Sequence, residues 1–391
     1  MKIAFFSDNF YPELSGISDS LIALTRALAK RGHKIRIYAP RYAKKDFATA
    51  KAPLQELNLG KNISIIRLPS ISYPSPTGQG RASICGLRGF LNILAWSPDV
   101  IHTQLFFGVG LSALIIAKLL RKPLLGTNHT ATSEFARYLP WQSTFLKKLF
   151  ERYVSWYYNR CAFVTGPSNS VFLDMVAAGF KAPHRALSNP VDIDAFPPAT
   201  SAEEKAELKK KFNLSGMVLA YTGRLAKEKN INDIIAALPA IVKEVPHTML
   251  ALAGRGVEME ALAEQAKKLG VQNAVHFLGM LNKDDLAKLY RATDIFIIMS
   301  TSETQGLSMM QAMAAGLPVI AARARSLPEY VNAKNGILIE PGDSQSLAGA
   351  IIELLNAPEK MKALGNDGLA YVKNFSSENI AREWEKIYQS L

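Results

Sequence analysis

Short apolar runs alternate with amphipathic helical stretches along the whole of this 391-residue chain, and that rhythm leaves few folds open. Residues 2–7 (KIAFFS) read as a buried strand. A loop through Pro12 and Gly16 then leads into a helix with Leu21, Leu24 and Leu28 on one face, and Gly32 stands where a left-handed cap would end it. Strands follow at 34–38, 100–102, 124–128 and 163–166. Strands separated by helices pair in parallel, because a crossover helix returns the chain to the same end of the sheet. Pro197, Pro198, Ala199, Thr200 and Ser201 interrupt the pattern and read as a linker. It restarts with strands at 217–222, 248–253, 275–278, 295–299 and 318–321. The expectation is α/β: two Rossmann-like, doubly wound units. The length agrees, since it exceeds what one hydrophobic core usually covers. A last helix carries Ile380, Trp384, Ile387, Tyr388 and Leu391 on one stripe after a cap at Ser376 or Ser377, and must dock on something apolar.

Composition narrows the class. With 48% hydrophobic and 20% charged residues the chain reads as soluble and globular rather than disordered. Its two cysteines, Cys85 and Cys161, have no metal-ligand spacing and fit a reducing compartment. The first residues lack the regions of a signal peptide, and the most apolar run, 108–120, contains Lys118 and is too short to span a bilayer. A cytoplasmic protein is expected. The net charge of +13 is confined to one half: residues 1–200 carry 24 Lys+Arg against 11 Asp+Glu, residues 201–391 carry 22 of each. An excess so confined points to a polyanionic partner. No nucleic-acid-binding module is recognisable, so no nucleic acid partner is expected, and anionic lipid headgroups fit better.

Ligands of open α/β sheets bind at the carboxyl ends of the strands, so the loops there carry the search. The loop 223–230 follows a strand and opens a helix, so backbone amides and the cations Arg224 and Lys229 can converge on one anion, a diphosphate by size. A solvated basic turn accounts for the same pattern. In 302–318 (SETQGLSMMQAMAAGLP), Glu303 follows a strand and Gly306 opens a helix whose free amides can hold a hydroxyl or phosphate. Gln311, eight residues beyond Glu303, is placed about two turns on, roughly on the same helical face. Periodicity alone favours a capping carboxylate followed by a core helix with Met309, Met310 and Met313 inward.

The segment 302–318 resembles the signature of retaining GT-B glycosyltransferases of family four, whose helix begins with a Glu and carries a second Glu eight residues later, followed by Ala-x-Ala-x-Gly-x-Pro. Here those places hold Glu303, Gln311, Ala312, Ala314, Gly316 and Pro318. Phe10, Tyr11, Pro12 and Gly16 resemble the family's glycine loop, and Asp99 to Thr103 its Pro-Asp-hydrophobic-His strand. Asn189, Val191, Asp192 and Phe196 resemble its crossing into the second domain, and Gly223, Arg224 and Lys229 its diphosphate loop. The resemblance covers nearly the whole chain and implies domains at 1–196 (acceptor) and 197–375 (nucleotide sugar), with 376–391 returning to the first domain.

It also implies roles. Arg224 and Lys229, on the loop opened by Gly223, would hold the diphosphate, and Gly16 would admit backbone to it. His129 would contact the donor sugar; Glu303 and the backbone of Thr304, Gln305, Gly306 and Leu307 would hold sugar hydroxyls. Gln311 would meet the ribose, more weakly than a carboxylate, while Gly254 and Leu278, within the loops at 254–258 and 276–280, would lie near the nucleotide. Gln104, where relatives often have His, and Ser15, where a paired glycine is common, depart from the pattern. Metal and cofactor are not expected: Asp192 and Asp194 mimic an Asp-x-Asp pair but lie in the interdomain crossing, and Arg224 with Lys229 supplies the positive charge. Gly254-x-Gly256 lacks the third glycine of a dinucleotide fingerprint.

Thr304-Gln305-Gly306, and His129-Thr130 followed by Glu134, Phe135 and Tyr138, resemble the branch that glucosylates diacylglycerol. UDP-glucose donor, lipid acceptor and peripheral attachment to the inner face of the cell membrane are the expectations. Membrane contact would fall to 81–96 (Arg88, Phe90, Leu91) or 141–160 (Lys147, Lys148, Arg152, Trp156, Tyr157), the latter reading equally as a core helix. The alternatives are a soluble or other lipid-linked acceptor with a GDP-mannose or ADP-glucose donor, and a non-catalytic nucleotide-sugar-binding relative.

Overall fold

The computed structural model describes residues 1–13, 15–50, 52–75, 78–130 and 143–391. Glu134, Phe135, Tyr138 and Trp141 lie outside them. The chain forms two compact units, one of Met1–Pro190 with Ser377–Leu391, the other of Val191–Ser376.

The first unit is built on β1 (Lys2–Phe6), β2 (Lys34–Pro40), β3 (Ile63–Leu68), β6 (Val100–Thr103), β7 (Leu124–Thr127), β8 (Phe163–Gly166) and β9 (His184–Ala186). They form one sheet in the order β3-β2-β1-β6-β7-β8-β9, every pair parallel. A separate antiparallel pair, β4 (Ser70–Ser72) and β5 (Arg81–Ser83), hangs between β3 and the helix Leu87–Trp96. The strands β3 and β9 were not anticipated. The first is only partly buried at a sheet edge and interrupts its apolar residues with Ser64 and Arg67, and the second, His-Arg-Ala, has no apolar run to announce it. The helix Gly16–Lys30 buries Leu21, Leu24 and Leu28 as expected. Ser15 caps it, its Oγ accepting from the Ser18 amide at 3.2 Å, which gives the serine at this position a local purpose.

The second unit contains β10 (Val218–Thr222), β11 (Met249–Ala253), β12 (Val275–Gly279), β13 (Ile295–Ile298), β14 (Val319–Ala322) and β15 (Gly336–Ile339). Their order is β12-β11-β10-β13-β14-β15, all parallel, which is the 3-2-1-4-5-6 order of a doubly wound dinucleotide-type sheet. In each unit the order reverses beside its first strand, at β1/β6 and at β10/β13.

The units divide at Pro190/Val191, ahead of the expected 196/197. Val191 and Phe196 are buried in the second unit's core, and the Val191 amide donates to Phe375 O at 2.8 Å. Apolar burial of these two residues draws the crossing segment into the second unit before the proline run begins. That run ends at Ser201, which caps the helix Ala202–Lys211.

The last helix, Ser377–Gln389, belongs to the first unit and buries Ile380, Trp384, Ile387 and Tyr388. Leu391 is exposed, because the helix ends before it. Trp384 lies 4.3 Å from the His102 ring, and Tyr388 Oη is 2.8 Å from His102 Nδ1. The other ring nitrogen faces Thr127 Oγ1 at 2.8 Å. The histidine of the Asp99–Thr103 motif is thereby the docking point of the C-terminal helix. At the rim, Glu385 pairs with Arg31 and His33, and Glu378 with Arg31.

Candidate functional site

In the second unit the reversal point lies between β10 and β13, and the loops leaving these two strands are laced together. Arg224 Nη2 pairs with Glu228 Oε1 at 2.6 Å, and the carbonyl of Arg224 accepts from Tyr221 Oη at 3.0 Å. A single 3-10 turn, Lys227–Lys229, precedes Asn230, whose left-handed φ of 48° turns the chain into the helix Ile231–Glu244. From the facing loop, Thr301 N donates to Glu228 O at 3.0 Å, and Asn230 Nδ2 donates to Met299 O at 3.0 Å.

Across this seam Lys229 Nζ sits 2.6 Å from Glu303 Oε1 and 3.4 Å from Ser300 Oγ. Both partners of the ion pair are largely withdrawn from water, with 15% and 18% of their side chains exposed. Burial pushes the Glu303 carboxyl up, but the Lys229 charge and hydrogen bond, with Ser300 and Arg224, outweigh it and hold the group below the usual carboxylate range. The carboxylate stays ionised and acceptor-only, ready for hydroxyl donors.

Glu303 is not on the helix that follows. Gly306, at φ 79°, is the residue before the helix Leu307–Ala314 and has no side chain with which to cap it. The expected shared helical face with Gln311 therefore gives way to a loop carboxylate beside a helix amino terminus. On that helix Leu307, Ser308 and Gln311 are partly exposed while Met309, Met310 and Met313 are buried, so Gln311 lies one turn in, on the open side. Thr304 is half-buried and Gln305 buried.

The loop after β11 lies backbone to backbone against the loop after β10. A Cβ at Gly254 would fall 1.8 Å from Gly223 O, and one at Gly256 1.8 Å from Leu225 O. The glycines of this partial fingerprint are thus required by loop packing. Leu278 is half-buried on β12. Asp192 is paired with Lys283 at 2.5 Å, in the crossing segment rather than at the reversal point.

In the first unit Gly16 opens its helix next to Asn9, whose Oδ1 accepts from Ser15 Oγ at 2.6 Å and Ser18 Oγ at 3.0 Å. His129 follows β7 and is buried, its Nε2 2.8 Å from Gln104 Oε1. Burial holds its pKa down at about 4, so the ring is neutral near pH 7. Asp8, absent from the candidate residues, accepts from the Val109 and Gly110 amides at 2.7 and 3.2 Å and caps the helix Gly108–Leu120. Burial raises its carboxyl to about 6 against those hydrogen bonds. A carboxylate used from so far along the chain leaves no local sequence signal.

The two contact faces proposed from sequence are partly corrected. Tyr157 is wholly buried and donates to Gly110 O at 2.8 Å, and Phe90 is packed against the core. The helix Thr144–Tyr158 instead shows Phe145, Lys148, Leu149, Arg152 and Trp156 on one exposed face. No helix among the described residues is long and apolar enough to cross a membrane.

Comparison with known proteins agrees with this architecture. The family model described as Glycosyltransferase Family 4 matches residues 14–195, and that described as Glycosyl transferases group 1 matches 203–370. The alpha-monoglucosyldiacylglycerol synthase of Streptococcus pneumoniae is 29% identical over 99% of this chain and 85% of its own length. The enzyme of the same name from Acholeplasma laidlawii is 24% identical over 100% and 97%. Among solved structures, Anabaena Alr3699/HepE in complex with UDP and glucose superposes with a TM-score of 0.77 at 22% identity, each chain fully covered. The chain belongs to the glycosyltransferases, a GT-B protein whose first half is a Family 4 domain and whose second half is a group 1 domain.

Proposed function

We propose that this glycosyltransferase is a retaining, metal-independent hexosyltransferase that moves glucose from UDP-glucose to a lipid acceptor such as diacylglycerol at the inner face of the cell membrane. The observation that carries the donor half of this reading is the Lys229–Glu303 pair beside the amino terminus of the helix Leu307–Ala314, with Arg224 on the same loop. Cations beside a helix amino terminus suit a diphosphate, and an ionised carboxylate suits sugar hydroxyls. The similarity to two diacylglycerol glucosyltransferases over almost the whole chain supports the acceptor half, and the Anabaena complex supports UDP and glucose. His129 is assigned to the donor hexose, and Gly16 and Gly254 to backbone approach near the nucleotide diphosphate.

The proposed chemistry is a front-face displacement. The bond from the anomeric carbon to the diphosphate breaks with its electron pair leaving to the phosphate, whose charge Arg224 and Lys229 balance. The acceptor hydroxyl attacks from the same side, and its proton goes to the departing phosphate oxygen. No carboxylate pair of glycosidase type is then required, and the cations take the role a metal would have.

The test is a panel of UDP-, GDP- and ADP-sugars offered with diacylglycerol, phosphatidylinositol and soluble acceptors. Release of UDP and an α-glucosyl diacylglycerol product is expected; a β-linked product or release of GDP or ADP alone would overturn the assignment. Gln311→Glu should tighten donor binding by about 1 kcal/mol, roughly five- to tenfold by calorimetry, with the product unchanged. An unaltered dissociation constant would remove Gln311 from the ribose.

Membrane attachment is assigned to the first unit, where Leu87, Leu91, Phe145 and Leu149 are at least half exposed and Arg88, Lys148 and Arg152 accompany them. The protein should sediment with anionic liposomes at low salt and be largely released by high salt. Absence from the pellet at every salt concentration would count against it.

A further inference from the structure

Among the described residues four buried side-chain polar atoms lack a hydrogen-bond partner: His33 Nδ1, Arg81 Nε, Arg291 Nε and Gln104 Nε2. The first three belong to groups held in ion pairs, with Glu385, Asp46 and Glu204. Gln104 is different: it is uncharged, 2% exposed, and its spare atom is a two-proton donor. A buried donor without a partner is uncommon in a native fold and calls for a specific use.

Its position supplies one. Gln104 is the first residue after β6, and its own amide donates to Phe6 O of β1 at 2.8 Å. It stands at the β1/β6 reversal of the first unit's sheet, at the carboxyl ends of the strands, where open α/β sheets take ligands. Its Oε1 is 2.8 Å from His129 Nε2. An amide oxygen can only accept, so the neutral imidazole carries its proton on Nε2 and donates it to Gln104.

We propose that Gln104 is a substrate-binding residue: its free Nε2 amide donates to an uncharged oxygen of the bound hexose or of the acceptor alcohol, while its Oε1 fixes the ring of His129. The inference rests on the glycosyl-transfer reading for the identity of the ligand, and on Gln104 and His129 alone for the site. An amide beside a neutral ring suits a hydroxyl or ester oxygen better than a phosphate, which would draw a cation.

The test is selective 15N labelling of glutamine and histidine in the full chain, with the Gln104 side-chain amide assigned by its loss in Gln104→Glu, or in Gln104→Asn should the first variant fold poorly. In the parent, His129 should carry its proton on Nε2, and the Gln104 amide signals should move on adding UDP-glucose or dioleoylglycerol in micelles. A response to the first probe alone identifies the hexose as the source of the oxygen, and a response to the second alone identifies the acceptor. Amide signals that stay fixed with both probes together, or a His129 proton on Nδ1, would overturn the proposal. In kinetics, Gln104→Glu keeps the acceptor toward His129 but loses the donor, so the KM of the responding substrate should rise about tenfold while the other stays within twofold. Unchanged KM values for both would also overturn it. Failure of the glycosyl-transfer reading would register separately, as a parent protein that releases no UDP.

Discussion

Lys229→Ala should lower kcat by about 10²- to 10³-fold while weakening donor binding far less, because the charge that Lys229 balances grows as the diphosphate leaves. The ammonium already sits 2.6 Å from the Glu303 carboxylate, held there by the seam between the loops after β10 and β13, so little reorganisation is needed when the charge develops. The substitution has a second consequence. Without Lys229 the burial that raises the Glu303 carboxyl is no longer outweighed, so its pKa climbs and the variant's residual activity should fall off at a higher pH on the acid side than the parent's. Arg224→Ala should act in the same direction. Single-turnover UDP release and calorimetric donor affinity, measured across pH, check both effects. Retention of full kcat in Lys229→Ala would remove the ion pair from the chemistry.

Much of this was legible in the sequence because central parallel strands are buried on both faces and read as unbroken apolar runs. Residues 2–7 and 295–299 announced themselves in that way, and so did the loops that follow them. Edge strands carry a weaker mark: Ile63–Leu68 breaks its apolar run with Ser64 and Arg67, His184–Ala186 has no such run, and each pairs with one neighbour only. The site divides along the same line. Arg224, Lys229 and Glu303 could be named from loop position and family likeness, but the pairing of Lys229 with Glu303 across 74 residues is tertiary. Asp8 at a helix start 101 residues away, and the orphaned amide of Gln104, depend wholly on how strands were ordered in space. Gln311 shows the opposite error. A spacing of eight suggested a common helical face, and the left-handed turn at Gly306 cancelled it by starting the helix after Glu303.

The C-terminal helix offers the largest expected change in stability. Trp384 is 3% exposed, 4.3 Å from His102 and 5.4 Å from Tyr388, so Trp384→Ala removes a large ring from a packed site that cannot close around the loss. A cost of about 3–5 kcal/mol is expected, which for a unit of this size lowers its unfolding midpoint by roughly 10 °C. Calorimetry should show the loss in the transition of the first unit, since the helix packs within that unit while Val191–Ser376 keeps its own core. The histidine gives an independent readout. Burial, with a smaller contribution from His129, holds His102 well below its ordinary 6.5, so the folded state refuses a proton that the unfolded chain accepts. The stability this group requires is therefore intact above pH 6.5 and erodes as pH falls below it. Opening the site to water in Trp384→Ala should return His102 toward its ordinary value and flatten that acid-side decline. A variant with an unmoved midpoint and an unchanged pH slope would mean that the helix is held by its rim pairs, Arg31 with Glu378 and Glu385, rather than by the buried aromatic contact.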